Sequence, residues 1–515
     1  MSSYPLSLFN RDLSLSIDIS GSPALVSFPG GVYFAFSGKG TNTTLQVSSY
    51  LSYYSIFIGA LNTNGSIAWI QNFGPLQTAA DCYSPHIAIG NANDLYVTYV
   101  TNGSIAGYHP GSYFSPSPGS LPPYGNADVV LARINTVNKT VVWAVQGAGL
   151  NGPSNETVPQ VAVDITYGWV YLAYQSSGNI NPYTATGKTN IIVSCFNSIS
   201  PSPPGTAVWT SGYQSGVQND EINCTDYNKN PTIVTDNAGS VYVAYEVTTK
   251  APNGAPVQGQ QIELVKFTTT NINTPLNPLY VGRYQWTLST SGTNIFVSNG
   301  KSYQPNLSCL NSTLYLSFLT SGAIPGGNHS PSGNDVVVAA IRTNGNLLWA
   351  TQGLTNTCPQ KYYDVYAVSS TIDELCAPYI VAVVKKFGSR DSVLVWRLNP
   401  ENGKPTWTYT IPTGASTYLA YGFALTGGKN AVWPSKSYEF TTLSIAAYKG
   451  MFYLGYTTLD PIPNSATTIT PNHYVGISGL SPRVYAENLS AYNYIMELAT
   501  GCKCNDSQCG CYLNK

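Results

Sequence analysis

The sequence predicts an all-β protein, a single seven-bladed β-propeller of four-stranded antiparallel blades with a short Cys-rich C-terminal tail. Three observations predict it. An apolar-Tyr-apolar signature recurs seven times, its tyrosines 63 to 75 residues apart. Six of the nine tryptophans fall in a second slot between those tyrosines. The composition is rich in turn residues and poor in charge, with 47 Gly and 34 Pro among 515 residues but only 9% Asp, Glu, Lys and Arg. An ordinary soluble domain is about 25% charged. A net charge of -1 excludes a nucleic-acid binder working through a basic field, because counterion release needs clustered cations. Disorder is excluded as well, since 39 Tyr, 15 Phe and 9 Trp supply large apolar area.

The repeat unit holds four strands, A to D in chain order. The B strands carry the tyrosines, as in Val32-Tyr33-Phe34, Leu95-Tyr96-Val97, Val170-Tyr171-Leu172 and Val241-Tyr242-Val243. Leu314-Tyr315-Leu316, Pro378-Tyr379-Ile380 and Phe452-Tyr453-Leu454 complete the set. The D strands carry Trp69, Trp143, Trp209, Trp286, Trp349 and Trp407, with Val484-Tyr485 in the seventh slot. In the first repeat the strands are expected at 24–28, 32–36, 56–61 and 67–71; in the fifth, at 306–310, 314–318, 336–341 and 347–351. Alternation and β-branched content fit half-buried strands. The C-to-D turns Asn64-Gly65, Asn344-Gly345 and Asn402-Gly403 carry hairpin chemistry. Tandem sandwiches would repeat nearer every 100 residues and would lack a tryptophan slot. Stacked blades bury aromatic faces that one blade alone leaves open. Residues 1–20 form an N-terminal segment whose stretch Ser14–Ile19 is expected to close the ring as outer strand of the last blade, removing the open seam. The propeller spans 21–490. The tail spans 491–515, with a helix expected over Ala491–Thr500.

Asp-apolar-apolar-apolar-Ala-x-Ile at the third strand occurs as Asp128–Ile134 and Asp335–Ile341, the second followed by Asn344-Gly345 and Trp349. This pattern resembles the bacterial-type β-propeller repeat often called SBBP, found in secreted bacterial proteins and in proteins of large DNA viruses. The resemblance covers roughly residues 20–490 and departs from the family's Asp and Gly richness in repeats four and seven. It implies a propeller displayed on a virion or an extracellular surface.

The B–C and D–A connections are long and leave one face of such a ring, as at 101–127, 211–230, 319–334 and 412–440. Long loops on a rigid scaffold are where binding usually resides, although decoration or lattice contacts in an assembly explain them equally. Several A strands open with Pro23, Pro85, Pro159, Pro231 and Pro305, each followed by the next residue of a ring: Ala24, His86, Gln160, Thr232 and Asn306. His86, Gln160, Thr232 and Asn306 are the candidate ligand-binding residues at the channel mouth; a plain water-filled polar lining is the competing reading. The C strands open with Ser55, Asp128, Asn190, Gln261, Asp335, Asp391 and Tyr474, a pattern that suits bonding to neighbouring backbone. Calcium loops of the proper spacing are absent, and no metal or other cofactor is expected.

Catalytic constellations are missing. Asp164 and Asp364 are isolated, and His86, His109, His329 and His473 share no chelating spacing. There is neither a Gly-x-Ser-x-Gly elbow nor a P-loop. Of the ten cysteines, Cys358 and Cys376 flank the sixth A strand and are placed to pair, while Cys502, Cys504, Cys509 and Cys511 form a separate cluster. That cluster is open to three readings: a local disulfide knot, cross-links to other chains, or a zinc site.

The N-terminus has neither a basic n-region nor an apolar h-region, so no signal peptide is expected. No run of about 18 apolar residues exists, so no membrane span is expected. About eleven Asn-x-Ser/Thr sequons occur, which a chain rich in Asn, Ser and Thr also produces by chance. The expected function is a non-enzymatic structural or binding propeller in assembly or attachment, its partners other protein chains of a surface layer and, as a second class, glycans. The alternatives are a secreted glycan-binding adhesin using Tyr-rich loops such as 108–124, and a channel-site hydrolase or lyase using His86 and Asp364.

Overall fold

The computed structural model describes residues 5–12, 17–40, 53–91, 93–105, 127–146, 150–178, 180, 189–197, 207–212, 228–250, 256–268, 279–284, 300–324, 333–354, 362–373, 377–386, 392–411, 444–448, 451–458, 474–482, 502–505 and 508–511. Strand β1 (Pro5–Asp12) precedes the repeats. The first blade is β2 (Ile17–Phe28), β3 (Gly31–Gly40), β4 (Ser55–Asn62) and β5 (Ile67–Asn72). The second is β6 (Cys82–Ile89), β7 (Asp94–Thr101), β8 (Asp128–Asn135) and β9 (Thr140–Val145). The third is β10 (Glu156–Asp164), β11 (Trp169–Ser176), β12 (Asn190–Asn197) and β13 (Ala207–Gly212). The fourth is β14 (Asn228–Thr235), β15 (Ser240–Lys250), β16 (Pro256–Thr268) and β17 (Leu279–Tyr284). The fifth is β18 (Ser302–Leu310), β19 (Thr313–Thr320), β20 (Asp335–Arg342) and β21 (Leu347–Gln352). The sixth is β22 (Tyr362–Ile372), β23 (Pro378–Lys386), β24 (Ser392–Leu398) and β25 (Pro405–Ile411).

Each of these six sheets is antiparallel and runs in simple chain order. A further four-stranded sheet is composite: β26 (Ser444–Tyr448), β27 (Met451–Thr458) and β28 (Tyr474–Pro482) are completed by β1. The first strands β2, β6, β10, β14, β18, β22 and β26 neighbour one another in that order, and β26 returns to β2, which closes a propeller-like ring.

Two expectations are corrected here. The self-contained blades number six rather than seven, because the last sheet borrows its outer strand from the other end of the chain. That strand is Pro5–Asp12, not Ser14–Ile19: Pro5 pairs with Pro482 and Asp12 with Gly476, while residues 17–19 belong to β2 and pair with 38–40. Val484-Tyr485, Trp286 and the expected helix at 491–500 lie outside the described residues.

The core lies between blades. Ile56 and Ile58 of the first blade pack with Val97, Tyr99 and Val130 of the second. Val337 and Ala339 of the fifth meet Tyr242, Ala244 and Leu264 of the fourth. A strand covered on both faces must read as a continuous apolar run, and β20 does, buried from Asp335 to Ile341. Fully burying one Val or Leu contributes about 1.5–3 kcal/mol. The expected hairpins form as well, with Gly65, Gly345 and Gly403 at φ of 80°, 109° and 68°. A Cβ at Gly403 would lie 2.4 Å from the Trp349 ring of the preceding blade, so the turn needs glycine twice over.

Candidate functional site

The A strands β6, β10, β14 and β18 share one irregularity. Proline is the fourth residue of each, not the first as expected: Pro85, Pro159, Pro231 and Pro305. There the register sets two residues against one. Ser84-Pro85 face Tyr99, Val158-Pro159 face Tyr174, Asn230-Pro231 face Tyr245, and Gln304-Pro305 face Phe318. Proline lacks an N–H and suits a bulge that has left the ladder. The residue before it is left-handed in every case, with φ of 52° at Ser84, 50° at Val158, 51° at Asn230 and 53° at Gln304. Such a conformation costs about 1–3 kcal/mol and persists only where the surroundings enforce it.

The aromatic opposite each bulge is fully buried, and two of the tyrosines tie down the connection that enters their own blade. Tyr99 donates its hydroxyl to Leu76 O at 2.7 Å, and Tyr174 donates to Leu150 O at 2.6 Å. Tyr245 donates to the Glu263 carboxylate.

The four candidate ligand-binding residues follow these prolines directly. His86, Gln160, Thr232 and Asn306 pair with Thr98, Ala173, Ala244 and Ser317, so they occupy one level of four neighbouring inner strands. Ala24 holds the corresponding place in β2, opposite Ala35. Two of the four also bond to the next blade. His86 Nδ1 accepts the Val161 N–H at 3.2 Å, and Asn306 Nδ2 donates to Val368 O at 3.1 Å. Burial lowers the His86 pKa to about 4, which leaves the ring neutral at pH 7 with a lone pair for that bond.

Sequence reasoning missed an acidic tie between two bulges. Glu246, buried within β15, accepts the Asn230 side-chain amide at 2.9 Å and the Gln304 backbone N–H at 2.7 Å through the same oxygen. Lys229 stands opposite Glu246 in the ladder. The signal was readable, since the residue after the buried aromatic is Val100, Gln175 and Leu319 in the second, third and fifth blades but a glutamate in the fourth.

Two of the polar residues that open the C strands, Asp128 and Asp335, anchor the fold, while Asp391 lies outside the described residues. Asp128 Oδ2 accepts from Gln146 Nε2 at 2.8 Å, and that amide also donates to Gly103 O while its oxygen accepts the Ile105 N–H. Asp335, Gln352, Gly322 and Ile324 repeat the arrangement in the fifth blade. Gln261 departs from the pattern, because β16 already begins at Pro256. Thr101 and Thr320 accept the N–H of the glycine two residues on, as Ser176 does for Gly178. These anchors launch the long connections from one face. In the third blade the A-strand residue opposite this hydroxyl, where the second and fifth blades have Cys82 and Ser302, is a carboxylic acid. Glu156 is fully buried, and Ser176 donates to it at 3.0 Å. Burial first, then the nearby Asp128 charge, push its pKa to about 8 against the Ser176 and Gly152 hydrogen bonds.

Asp164 lies in an A–B turn on the opposite face, where it accepts the N–H groups of Thr166, Tyr167 and Gly239. His109, His329, His473, Cys358, Cys376 and the side chain of Asp364 lie outside the described residues. Among the described residues no group of three His, Cys, Asp or Glu side chains is placed to hold a metal ion.

No described protein family and no curated protein matches the chain, so membership of the SBBP repeat family is not established. Solved structures do match its fold. A polysaccharide lyase, a PL25 ulvan lyase bound to -[GlcA(1-4)Rha3S]-, is 10% identical over 90% of this chain and 95% of its own, with a TM-score of 0.45. A Hadza microbial sialidase is 9% identical over 83% and 72%, with a TM-score of 0.36. Trypanosoma rangeli sialidase is 8% identical over 87% and 66%, with a TM-score of 0.37. The expectation of a protein without enzymatic activity is corrected: these structural neighbours are enzymes, and the lack of sequence motifs gives no ground for exclusion. The likeness is to fold and transfers no activity.

Proposed function

We propose that the chain is a glycan-binding propeller of seven sectors, six contiguous blades and the composite sheet, which takes its ligand in the central channel at the level of the inner-strand bulges rather than at the expected channel mouth, because the ring residues lie in mid-strand. One observation supports this reading. Four uncharged polar side chains, His86, Gln160, Thr232 and Asn306, repeat at one level just after strained bulges on neighbouring inner strands. Hydroxyl-rich ligands are held by such short-range hydrogen bonding more than by long-range charge, and a chain with 9% charged residues offers little electrostatic steering. Screening the full chain on a glycan array, followed by calorimetry of the hits, tests it. Binding that changes little with salt and weakens about tenfold, or ~1.4 kcal/mol, in Gln160→Ala or Thr232→Ala is expected. An array without hits would sink the reading, and polymer cleavage would show that the protein also carries chemistry. A role in assembly or attachment on an exterior surface or virus particle is the second proposal, favoured by the charge-poor composition. Its absence from purified particles by mass spectrometry would rule out the particle reading.

A further inference from the structure

We propose that the tail is a doubly cross-linked hairpin, with Cys502 joined to Cys511 and Cys504 to Cys509. This rests on backbone register and is independent of the glycan reading. Strand β29 (Cys502–Asn505) pairs antiparallel with β30 (Gln508–Cys511). Cys502 stands opposite Cys511 and Cys504 opposite Cys509, with Lys503 and Gly510 between them. Positions two apart on a strand share a face, so all four cysteines belong to one face of the hairpin.

Four cysteines allow three connectivities, and the ladder separates them. Facing residues in an antiparallel pair have Cα atoms about 4.5 or 5.5 Å apart, depending on the type of pair. Pairs two apart in a ladder are of the same type, so both cysteine pairs are equivalent. Either spacing lies within the usual disulfide range of about 4.4–6.8 Å. Residues two apart along one strand are separated by about 6.6–6.8 Å, at the edge of that range. Diagonal neighbours are about 7–8 Å apart, beyond it. Facing pairs are therefore the favoured connectivity. A zinc ion with Zn–S bonds of about 2.3 Å would instead need all four sulfurs mutually within about 3.8 Å. A flat ladder face, longer along the strands than across them, suits two pairs better than one tetrahedral cage.

Stability points the same way. The two strands form a sheet of their own, four residues each, with no third strand among the described residues. An isolated two-stranded hairpin is marginal in water at best. Cross-links that restrict the open chain would hold it together. Each forms by exchange with an external small-molecule disulfide. One cysteine thiolate attacks it and expels a thiolate; the facing cysteine then displaces the second. The pair loses two protons and two electrons, and the external disulfide is reduced to two thiols.

The test uses the full chain equilibrated with excess oxidised glutathione, alkylated without reduction and digested. Neither alkylation nor glutathione addition at the four tail cysteines is expected, with the peptide ending at Lys503 linked to the peptide beginning at Cys504. In Cys502→Ser a single new unpaired site should appear, at Cys511, labelled by the alkylating agent or by glutathione. Labelling at Cys509 would mean diagonal pairing, and labelling at Cys504 would mean pairing along the strand; either overturns the proposal. So would four free thiols, a dimer that reductant dissolves, or one equivalent of zinc released by a chelator.

Discussion

The fifth blade and the composite sheet are both four-stranded and antiparallel, yet they are closed by different means. In the fifth blade β18 to β21 follow one another, and the Gln352 amide binds Asp335, Gly322 and Ile324 across the mouth of its long connection. In the composite sheet the fourth strand comes from residues 5–12 and meets residues 476–482. Loop-closure cost grows only slowly with length, so so distant a pairing is thermodynamically tolerable. What it changes is vulnerability: a contiguous blade can lose a side chain, whereas the composite sheet can lose a whole strand in one cut.

Deleting residues 1–12 breaks the comparison most severely. It leaves β28 as an open edge and removes the ring seal. A fall in Tm of ~10 °C or more is expected, with aggregation, by calorimetry and light scattering. An unchanged Tm would show that the six blades hold the ring by themselves. Within a contiguous blade the largest single effect should come from Trp396→Ala, since Trp396 is fully buried in β24 among Val338, Leu354 and Ile380. A loss of about 3–5 kcal/mol in denaturant unfolding is expected.

Gln352→Leu removes the clasp while keeping much of the volume. About 2–3 kcal/mol should be lost, because the Ile324 N–H is left without its acceptor in a buried place. No loss would mean that the long connection holds itself.

The smallest effect is a difference in slope with pH. Glu156 has a folded-state pKa of about 8 against the ordinary 4.5. The folded protein therefore keeps a proton that the unfolded chain releases. That contribution is full below pH 4.5 and is lost as pH rises to about 8. Wild-type Tm should decline across that window, and Glu156→Gln should flatten the decline. The same decline in both proteins would place the titrating group elsewhere.

What the sequence revealed was local. The tyrosines and tryptophans recur because every blade needs the same aromatic layer, and Asn-Gly marks a hairpin whatever lies beyond it. Trp69, Trp143, Trp209, Trp349 and Trp407 all fall in D strands as expected. The closing strand was misplaced because Pro5–Asp12 is defined by a partner more than 460 residues away, which no local period encodes. The polar ring was legible from the residues after proline, but its bulges were not: left-handed Val158 is unfavourable by every local rule, and the ring of neighbouring strands enforces it. The anchors were legible and passed over. Thr101-Asn102-Gly103-Ser104-Ile105 and Thr320-Ser321-Gly322-Ala323-Ile324 share one spacing, and each isoleucine is buried.

The composite sheet also orders events during synthesis. β1 leaves the ribosome before every blade, yet its partner β28 is made only when the chain reaches residues 474–482. The six contiguous blades can form in turn as they emerge, each against the one before. β1 meanwhile stays an unpaired strand, exposed to wrong partners in other nascent chains. Closure is therefore a late step with the highest contact order in the molecule, and the protein is most open to domain swapping just before its last sheet is complete.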